Sequence, residues 1–277
     1  MAAAASTTST SALPVWQLRT PRETLAAWFT WLIILALGAT ALGWIVASAP
    51  WQQIGGPLRI LDQVYDLTWR ALPPDWSHSG ALLWPLWQTI NIATLGTCLA
   101  LLVALPVSLC AARTTTPFAA ARWIALAIIA ASRSVNSLIW ALLLVKFVGP
   151  GELAGVFAIA LRSIGFLGKL MYEAIEEANP LPVEAVRATG GGPMQVVAWG
   201  IWPQVQPAFW GVTLLRWDIN IRESMIVGIV GAGGLGLTLR DAMMLLRWDR
   251  VSLILLVILV LVALGEFLSA RIRRRLV

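Results

Sequence analysis

Long apolar runs alternate with short polar segments along most of the chain. Six of these runs approach or exceed the roughly 20 residues that an α-helix needs to cross the hydrocarbon core of a bilayer. They cover about residues 25–49, 82–111, 118–146, 153–170, 205–230 and 251–270. The pattern therefore predicts an all-α integral membrane protein with about six transmembrane helices.

The first apolar run, Leu25–Ala49, ends in a sequence that resembles a signal-peptidase site, Ala47-Ser48-Ala49. The run is nevertheless too long for the apolar region of a signal peptide, which spans roughly 7–15 residues. We therefore interpret it as an uncleaved first helix. The small and polar residues 1–18 ahead of it predict a disordered cytoplasmic tail, which leaves residues 19–277 as the membrane domain.

The polar segment 51–80 carries apolar residues at helical spacing. They are Ile60, Leu61, Val64, Leu67 and Trp69. Because charged residues occupy the positions between them, the segment predicts a short amphipathic helix on the membrane surface.

Composition supports a membrane protein. Of the 277 residues, 58% are hydrophobic and 12% are charged, and the mean hydropathy is +0.77. A soluble domain of this size carries about twice that charged fraction. The net charge of +6 and the isoelectric point near 10.3 do not indicate nucleic-acid binding, because most basic residues are scattered singly between apolar runs.

The distribution of basic residues predicts the orientation. If the spans alternate, the basic flanks fall on one side of the membrane, which the positive-inside rule makes cytoplasmic. These flanks contain Arg19, Arg22, Arg113, Arg122, Lys169, Arg187, Arg271, Arg273, Arg274 and Arg275. Both termini are therefore expected in the cytoplasm.

The polar segment 171–203 predicts three short helices. Met171–Ala178 is expected to stop before Pro180, a second helix is expected to run from Pro182 to Ala188, and a third from Met194 to Trp199. Three glycines separate the last two helices and suit a turn. The segment is therefore either a rigid projection between two spans or an ordinary loop.

The spacing of residues within this segment resembles the EAA loop of ABC importer permeases. Glu184-Ala185-Val186 is followed after three residues by Gly190, and after nine more by Gly200-Ile201-Trp202-Pro203. The loop of that family reads Glu-Ala-Ala, then Gly, then an apolar stretch ending in Leu-Pro. Val186 and Trp202 depart from it, whereas the Glu, the Gly and the Pro keep their register.

This resemblance implies the architecture of a type I ABC importer permease, in which the loop forms a coupling helix that docks on an ATPase subunit. It implies a charged contact at Glu184, close approach at Ala185, a turn at Gly190, and family positions at Val186 and Pro203. The chain lacks a phosphate-binding loop, so ATP and Mg²⁺ are expected on the partner ATPase and no cofactor in this chain.

Further segments resemble the phosphonate-type permeases, which import phosphonates, phosphite or hypophosphite. They are Leu72–Ser77, Glu184–Gly192, Arg222-Glu223-Ser224 and Met225–Asp249. The resemblance covers about residues 55–275. It implies a permease homodimer in the bacterial cytoplasmic (inner) membrane, two ATPase subunits, and a periplasmic or lipid-anchored substrate-binding protein. Methionine and glycine-betaine permeases share the EAA loop, so they remain alternatives.

Residues 231–236 read Gly-Ala-Gly-Gly-Leu-Gly, which formally matches a dinucleotide-binding motif. That motif requires a preceding strand and a βαβ unit, and here it follows a membrane span. We expect instead that Gly231, Gly233 and Gly234 permit a broken, re-entrant backbone near the transport pathway.

Charged side chains also fall within the apolar runs, where each unpaired charge is costly. Arg216, Asn220 and Glu223 share one helical stripe, whereas Asp218 and Arg222 stand four residues apart. These residues either pair to hold helices together or line a path for an anion. The candidate path residues are Arg133, Asn136, Arg216, Asn220, Arg222, Glu223, Gly231, Gly233 and Gly234.

Two other classes compete with a permease. A membrane-embedded enzyme would need a convergent site, but the sequence has one histidine, His78, in a polar loop, and neither a catalytic nor a metal-binding constellation. A secondary transporter would use the carboxylates within the spans. Cys98 and Cys110 lie about 18 Å apart if helical, too far for a disulfide bond.

Overall fold

The computed structural model describes residues 21–48 and 57–276, and within them the regular structure is helical. The predicted disordered tail, residues 1–18, lies outside the described residues. The chain divides into two compact units, residues 1–64 and 65–277.

The first unit contains helix α1 (Pro21–Ser48). Every side chain from Trp28 to Ser48 is exposed, so this long apolar surface requires lipid or another chain as cover. Helix α2 (Pro57–Ala71) follows and crosses the boundary between the two units. The predicted amphipathic helix is therefore confirmed as a helix, and its position on the membrane surface stays a prediction.

The second unit continues with a 3₁₀ helix and nine α-helices. The 3₁₀ helix is Trp76–Leu82, and the α-helices are α3 (Leu83–Ala111), α4 (Ala119–Ser134), α5 (Ser137–Val148), α6 (Glu152–Glu176), α7 (Pro180–Ala188), α8 (Pro193–Gln195), α9 (Trp202–Val227), α10 (Gly234–Met244) and α11 (Trp248–Leu276). Short π-helical segments, Val196–Ile201 and Gly228–Ala232, extend α9 at its two ends.

Four helical stretches of the described chain are long and apolar enough to span a membrane, and two bent pairs bring the number to six. The four are Ala27–Ser48, Trp76–Ala111, Glu152–Glu176 and Trp248–Arg274. Helices α4 and α5 meet at 90°, and the long helix containing α9 meets α10 at 55°. The all-α fold is confirmed, and counting each bent pair as one span gives the six predicted.

The apolar run 118–146 is not one straight span. Its helix ends at Ser134, and a second begins at Ser137. Asn136 caps the second helix, because its side-chain oxygen accepts a hydrogen bond from the Leu138 N–H at 3.1 Å. The hydropathy of an apolar run does not predict such a break, because the capping residue is only one polar residue within the run.

The predicted division of residues 171–203 into three separate helices is wrong. Met171–Glu176 is the end of α6, and the third predicted helix continues through a π-helical turn into α9. Only the middle helix is separate, and it begins at Pro180 rather than Pro182. Asn179 caps it by accepting a hydrogen bond from the Leu181 N–H at 3.0 Å.

Helices α3 and α6 run parallel, and α9 runs antiparallel to both. Gln88 contacts Glu152 near the start of α3 and α6, whereas the Arg113 N–H, just beyond α3, bonds the side chain of Glu176 at the end of α6. The π-helical turn Val196–Ile201 and α7 therefore lie at the end of the bundle where α3 and α6 finish, which we call the α7 end. The opposite end carries Trp76–Leu82 and α10.

Small residues allow α3 and α6 to approach closely, as is common between membrane helices. A Cβ atom on Gly96 would lie 2.8 Å from Cγ2 of Ile159, and one on Gly155 would lie 3.1 Å from Cγ2 of Ile92. Ile92 and Ile159 are fully buried. This packing fixes the framework on which the polar side chains of α6 and α9 are placed.

We expect Gly96→Ala to destabilise the protein, because the buried, β-branched Ile159 cannot move away from the added methyl group. Overpacking of this kind costs about 1–3 kcal/mol. Gly211→Ala is the matched control, since a Cβ atom there meets nothing within 4 Å. Thermal unfolding of the detergent-solubilised protein should show a lower midpoint for Gly96→Ala only, and equal midpoints would contradict the packing argument.

Candidate functional site

A polar network lies in the middle of the bundle, among α3, α6 and α9. Its members on α9 are Arg216 and Asn220, which are buried, and Glu223, whose side chain is 16% exposed. Successive turns of one helix present these three side chains to the same neighbours, as the sequence spacing predicts. Buried polar groups in a membrane protein require partners, and each of these has them.

Arg216 is held by three neighbours. Its Nε donates to Ser163 Oγ at 2.9 Å, and its Nη2 donates to Glu223 Oε2 at 3.3 Å. The guanidinium also lies 5.2 Å from the centre of the Phe166 ring, which adds a cation–π contact. With a side chain only 3% exposed, Arg216 serves as a bridge between α6 and α9.

Asn220 extends the network to α3. Its Nδ2 donates to Thr97 Oγ1 at 2.8 Å, and its Oδ1 lies 3.2 Å from Ser163 Oγ. Thr97 Oγ1 in turn donates to the carbonyl oxygen of Ala93 at 2.6 Å. Asn220 is completely buried, so it joins three helices at one point rather than lining an open surface.

Arg162 on α6 shares the Glu223 carboxylate with Arg216. Its Nε lies 3.4 Å from Glu223 Oε1, and its Nη1 donates to the Val135 carbonyl oxygen at 3.2 Å. Arg162 lies within the apolar run 153–170, but nothing in the sequence connects it with Glu223, because the two residues lie 61 positions apart. Two guanidiniums therefore share one carboxylate within the described chain.

Asp218 and Arg222 form a separate ion pair on α9. A Cβ atom on Gly265 would lie 3.6 Å from Asp218 Oδ1, so this pair faces α11 rather than α6. The sequence groups Arg222 with Arg216 and Glu223 as candidate path residues. The structure places them on different faces of α9, because six residues rotate a helix by about 240°.

Arg133 and Asn136 lie at the break between α4 and α5. Asn136 is occupied as the cap of α5, whereas Arg133 is exposed. The side chain of Arg133 passes over Gly165, since a Cβ atom on that glycine would lie 2.7 Å from Arg133 Cγ. Gly165 is one helical turn after Arg162, so Arg133 and Arg162 are neighbours across α4 and α6.

The glycine-rich segment breaks the helix that contains α9. Gly231 has φ 108°, in the region that favours glycine, and its carbonyl oxygen accepts a hydrogen bond from the Gly151 N–H at 3.0 Å. The chain then folds back tightly: a Cβ atom on Gly236 would lie 2.0 Å from the Met225 carbonyl oxygen. Gly233 is the residue that precedes α10.

Side chains of α3 bind the start of α10. The Gly234 N–H donates to Gln88 Oε1 at 3.3 Å, and the Leu235 N–H donates to Thr89 Oγ1 at 2.9 Å. These bonds satisfy two of the N–H groups that a helix start leaves free. No strand precedes this segment in the described chain, so the surroundings of a dinucleotide-binding motif are missing there.

Helix α7 is anchored by one face and exposed on the other. Val183 is buried against Ile201 and Val205, whereas Glu184 and Ala185 are exposed and Val186 is half-buried. Gly190 ends the segment with φ 81°, and its N–H donates to the Arg187 carbonyl oxygen at 3.0 Å. The geometry favours the projecting helix over an ordinary loop.

Gln204 connects Asn179, at the start of α7, with Gly200, just before α9. Its Oε1 accepts a hydrogen bond from the Asn179 N–H at 2.9 Å, and its Nε2 donates to the carbonyl oxygens of Asn179 and Gly200. Pro203, in the first turn of α9, is exposed beside it. These bonds hold the start of α7 against the start of α9.

At the opposite end, His78 bridges Asp75 and Arg250. His78 Nδ1 lies 2.6 Å from Asp75 Oδ2, and Arg250 donates to His78 Nε2. The Ser77 hydroxyl donates to Asp75, and this bond, together with His78, lowers the pKa of the Asp75 carboxyl. These contacts therefore favour the folded state at neutral pH and weaken as the pH falls through the Asp75 pKa.

Comparison with known proteins gives this geometry its context. Residues 96–277 match the family model of the binding-protein-dependent transport system inner membrane component. The chain belongs to this family. It is thus the membrane-embedded permease component of an ABC importer, as the EAA-like spacing indicates.

Two curated permeases are similar over most of this chain. The phosphite transport system permease protein PtxC of Stutzerimonas stutzeri is 40% identical over 77% of the chain and 78% of its own length. The phosphate-import permease protein PhnE of Mycolicibacterium smegmatis is 39% identical over 83% of the chain and 43% of its own length.

Solved ABC importers share the fold of this permease. A chain of the MetNI methionine ABC transporter, in an inward-facing conformation, has a TM-score of 0.65 and 24% identity, and the match covers 73% of this chain and 99% of that one. A chain of an amino acid ABC transporter gives a TM-score of 0.61 and 20% identity over 72% and 95% of the two chains. The predicted type I architecture is confirmed.

We expect Arg216→Gln to reduce the amount of folded permease. The change removes the bridge between α6 and α9 and leaves part of the Glu223 carboxylate without its partner, at a cost on the order of 3 kcal/mol. Arg273→Gln, at an exposed position near the end of α11, is the control. Size-exclusion profiles and unfolding midpoints should differ between the two variants; identical values would contradict a structural role for Arg216.

Proposed function

We propose that this permease imports phosphite, or a phosphonate or hypophosphite of the same tetrahedral oxyanion class, by alternating access driven by a partner ATPase. The observation that carries the proposal is the similarity to a phosphite permease over more than three quarters of both chains. The resemblance of residues 55–275 to phosphonate-type permeases points to the same substrates.

The electrostatics of the spans agree with an anionic substrate. Arg162 and Arg216 share Glu223, while Asp218 compensates Arg222, so the ion pairs of α6 and α9 leave an excess of positive charge. An uncompensated charge is expensive in hydrocarbon and is found where water or a ligand reaches it. Planar guanidinium groups also suit the oxygen atoms of phosphorus oxyanions.

For coupling, we place α7 on the cytoplasmic side and in contact with the ATPase. The exposed Glu184 and Ala185 would meet the ATPase, Val186 and Gly190 would hold the helix in position, and Pro203 would begin the span that follows. Arg113, Arg122 and the basic end of α11 lie at the α7 end as well, which agrees with the positive-inside rule. Both termini would then be cytoplasmic.

The assembly would contain two permease copies, two ATPase subunits, and a periplasmic or lipid-anchored binding protein in the bacterial inner membrane. ATP and Mg²⁺ would bind to the ATPase, and the permease would perform no chemistry. Binding of ATP would draw the two α7 helices together. Because Gln204 ties α7 to α9, that movement would reorient the spans around the central network.

The substrate assignment predicts that proteoliposomes containing the complete transporter take up radiolabelled phosphite when ATP is enclosed. Unlabelled phosphonate or hypophosphite should compete, whereas methionine and glycine betaine should not. If only methionine or glycine betaine competes with phosphite, the proposed substrate class is wrong. Uptake driven by an ion gradient without ATP would instead identify a secondary transporter.

The coupling assignment predicts that Glu184→Lys and Gly190→Pro abolish uptake while the permease still inserts into the membrane. The first reverses the charge at the proposed contact; the second places a ring with φ near −65° where the backbone requires 81°. Glu177→Lys, an exposed glutamate outside α7, should retain uptake.

Binding of purified ATPase to inside-out and right-side-out vesicles measures the same contact directly. Wild-type permease should bind ATPase only in inside-out vesicles, and the two α7 variants should lose that binding. Binding to right-side-out vesicles would reverse the orientation, and unchanged binding by both variants would remove α7 from the interface.

A further inference from the structure

We infer that the guanidinium groups of Arg133 and Arg162, beside the break between α4 and α5, form the binding site for the oxyanion within the membrane. This inference rests on the proposed function and names the site through which it acts. Four observations carry it: the surplus of charge, the exposure of these two arginines, the free donors of Arg162, and the broken backbone between them.

The charge surplus is concentrated here. Arg162 and Arg216 share a single carboxylate, Glu223, and Arg133, which packs over Gly165 on α6, has no ion-pair partner among residues 21–48 and 57–276. Three positive charges and one negative charge leave a net charge of +2. A phosphite or phosphonate dianion would neutralise it, whereas an amino acid zwitterion would not.

Exposure separates the arginines that can meet a ligand from the one that cannot. The side chain of Arg162 is 31% exposed and Arg133 is exposed, whereas the side chain of Arg216 is 3% exposed. A guanidinium facing hydrocarbon would be too costly to retain near the middle of a span. This face of α4 and α6 therefore meets water or another protein chain, as a transport path requires.

Arg162 is prepared for a ligand by the contacts it already makes. The Val135 carbonyl oxygen fixes its Nη1, and its contact with Glu223 is long, at 3.4 Å. A guanidinium has five N–H groups, so donors remain on both terminal nitrogen atoms. An oxyanion can replace Glu223 at Arg162 without leaving that carboxylate unpaired, because Arg216 still donates to it.

The broken backbone lies beside these donors. Substrate sites of membrane transporters often lie near the middle of the bilayer, where helices are discontinuous. Here α4 ends at Ser134, directly after Arg133, and Arg162 stands near the middle of α6. At the end of α4, the Arg133 side chain packs on Gly165, which lies one helical turn after Arg162 on α6.

The test uses the complete transporter in proteoliposomes, with radiolabelled phosphite as the probe. Uptake is divided by the ATP hydrolysis that the binding protein stimulates, so that inactive permease does not affect the ratio. We expect Arg133→Gln and Arg162→Gln to lower phosphite uptake per ATP by about tenfold or more, because each removes charged hydrogen bonds to the anion. The lysine variants should give intermediate ratios, and Arg273→Gln the wild-type ratio.

Wild-type ratios in both glutamine variants would overturn the inference while leaving phosphite import by the wild-type protein intact. If the glutamine variants show no stimulated ATP hydrolysis, the same ratio of phosphite uptake to ATP hydrolysis is measured for Arg133→Lys and Arg162→Lys. A reduced ratio in these variants supports the site, and an unchanged ratio overturns it. Absence of phosphite uptake by the wild-type transporter would overturn the proposed function, and this inference with it.

Discussion

The cost of charge in hydrocarbon is the constraint on which the arrangement of this permease depends. Arg216 and Asn220 are almost completely buried, and they are tolerated because Ser163, Thr97 and Glu223 satisfy them. The same hydrogen bonds position α3, α6 and α9 around one point. A network that satisfies its own polar groups therefore also determines how the central helices pack.

Two breaks in the helices surround this network. One separates α4 from α5 and is supported by Arg162, whose guanidinium bonds the Val135 carbonyl oxygen. The other follows α9 and is supported by Gln88 and Thr89 of α3. In both places a side chain from another helix binds a backbone group freed by the break, which is how irregular backbone persists inside a membrane protein.

The proposed coupling helix, α7, is bound to the start of α9, the helix that carries the central network. Gln204 and Pro203 mark its beginning beside α7, and Arg216, Asn220 and Glu223 follow along its length. In the proposed mechanism, a movement of α7 would therefore reach the central network through one continuous helix. The same continuity includes the third short helix expected from the sequence, which runs through a π-helical turn into α9.

The sequence by itself determined the class of this protein. Apolar runs of membrane-spanning length give the helices, and the fixed spacing from Glu184 to Pro203 gives the family, because both are properties of neighbouring residues. Tertiary structure alone decided the 90° break at Val135 and Asn136 and the partnership of Arg162 with Glu223. Those features depend on contacts between residues far apart in the chain, and a polar side chain in a span does not reveal from its own surroundings which distant group will satisfy it.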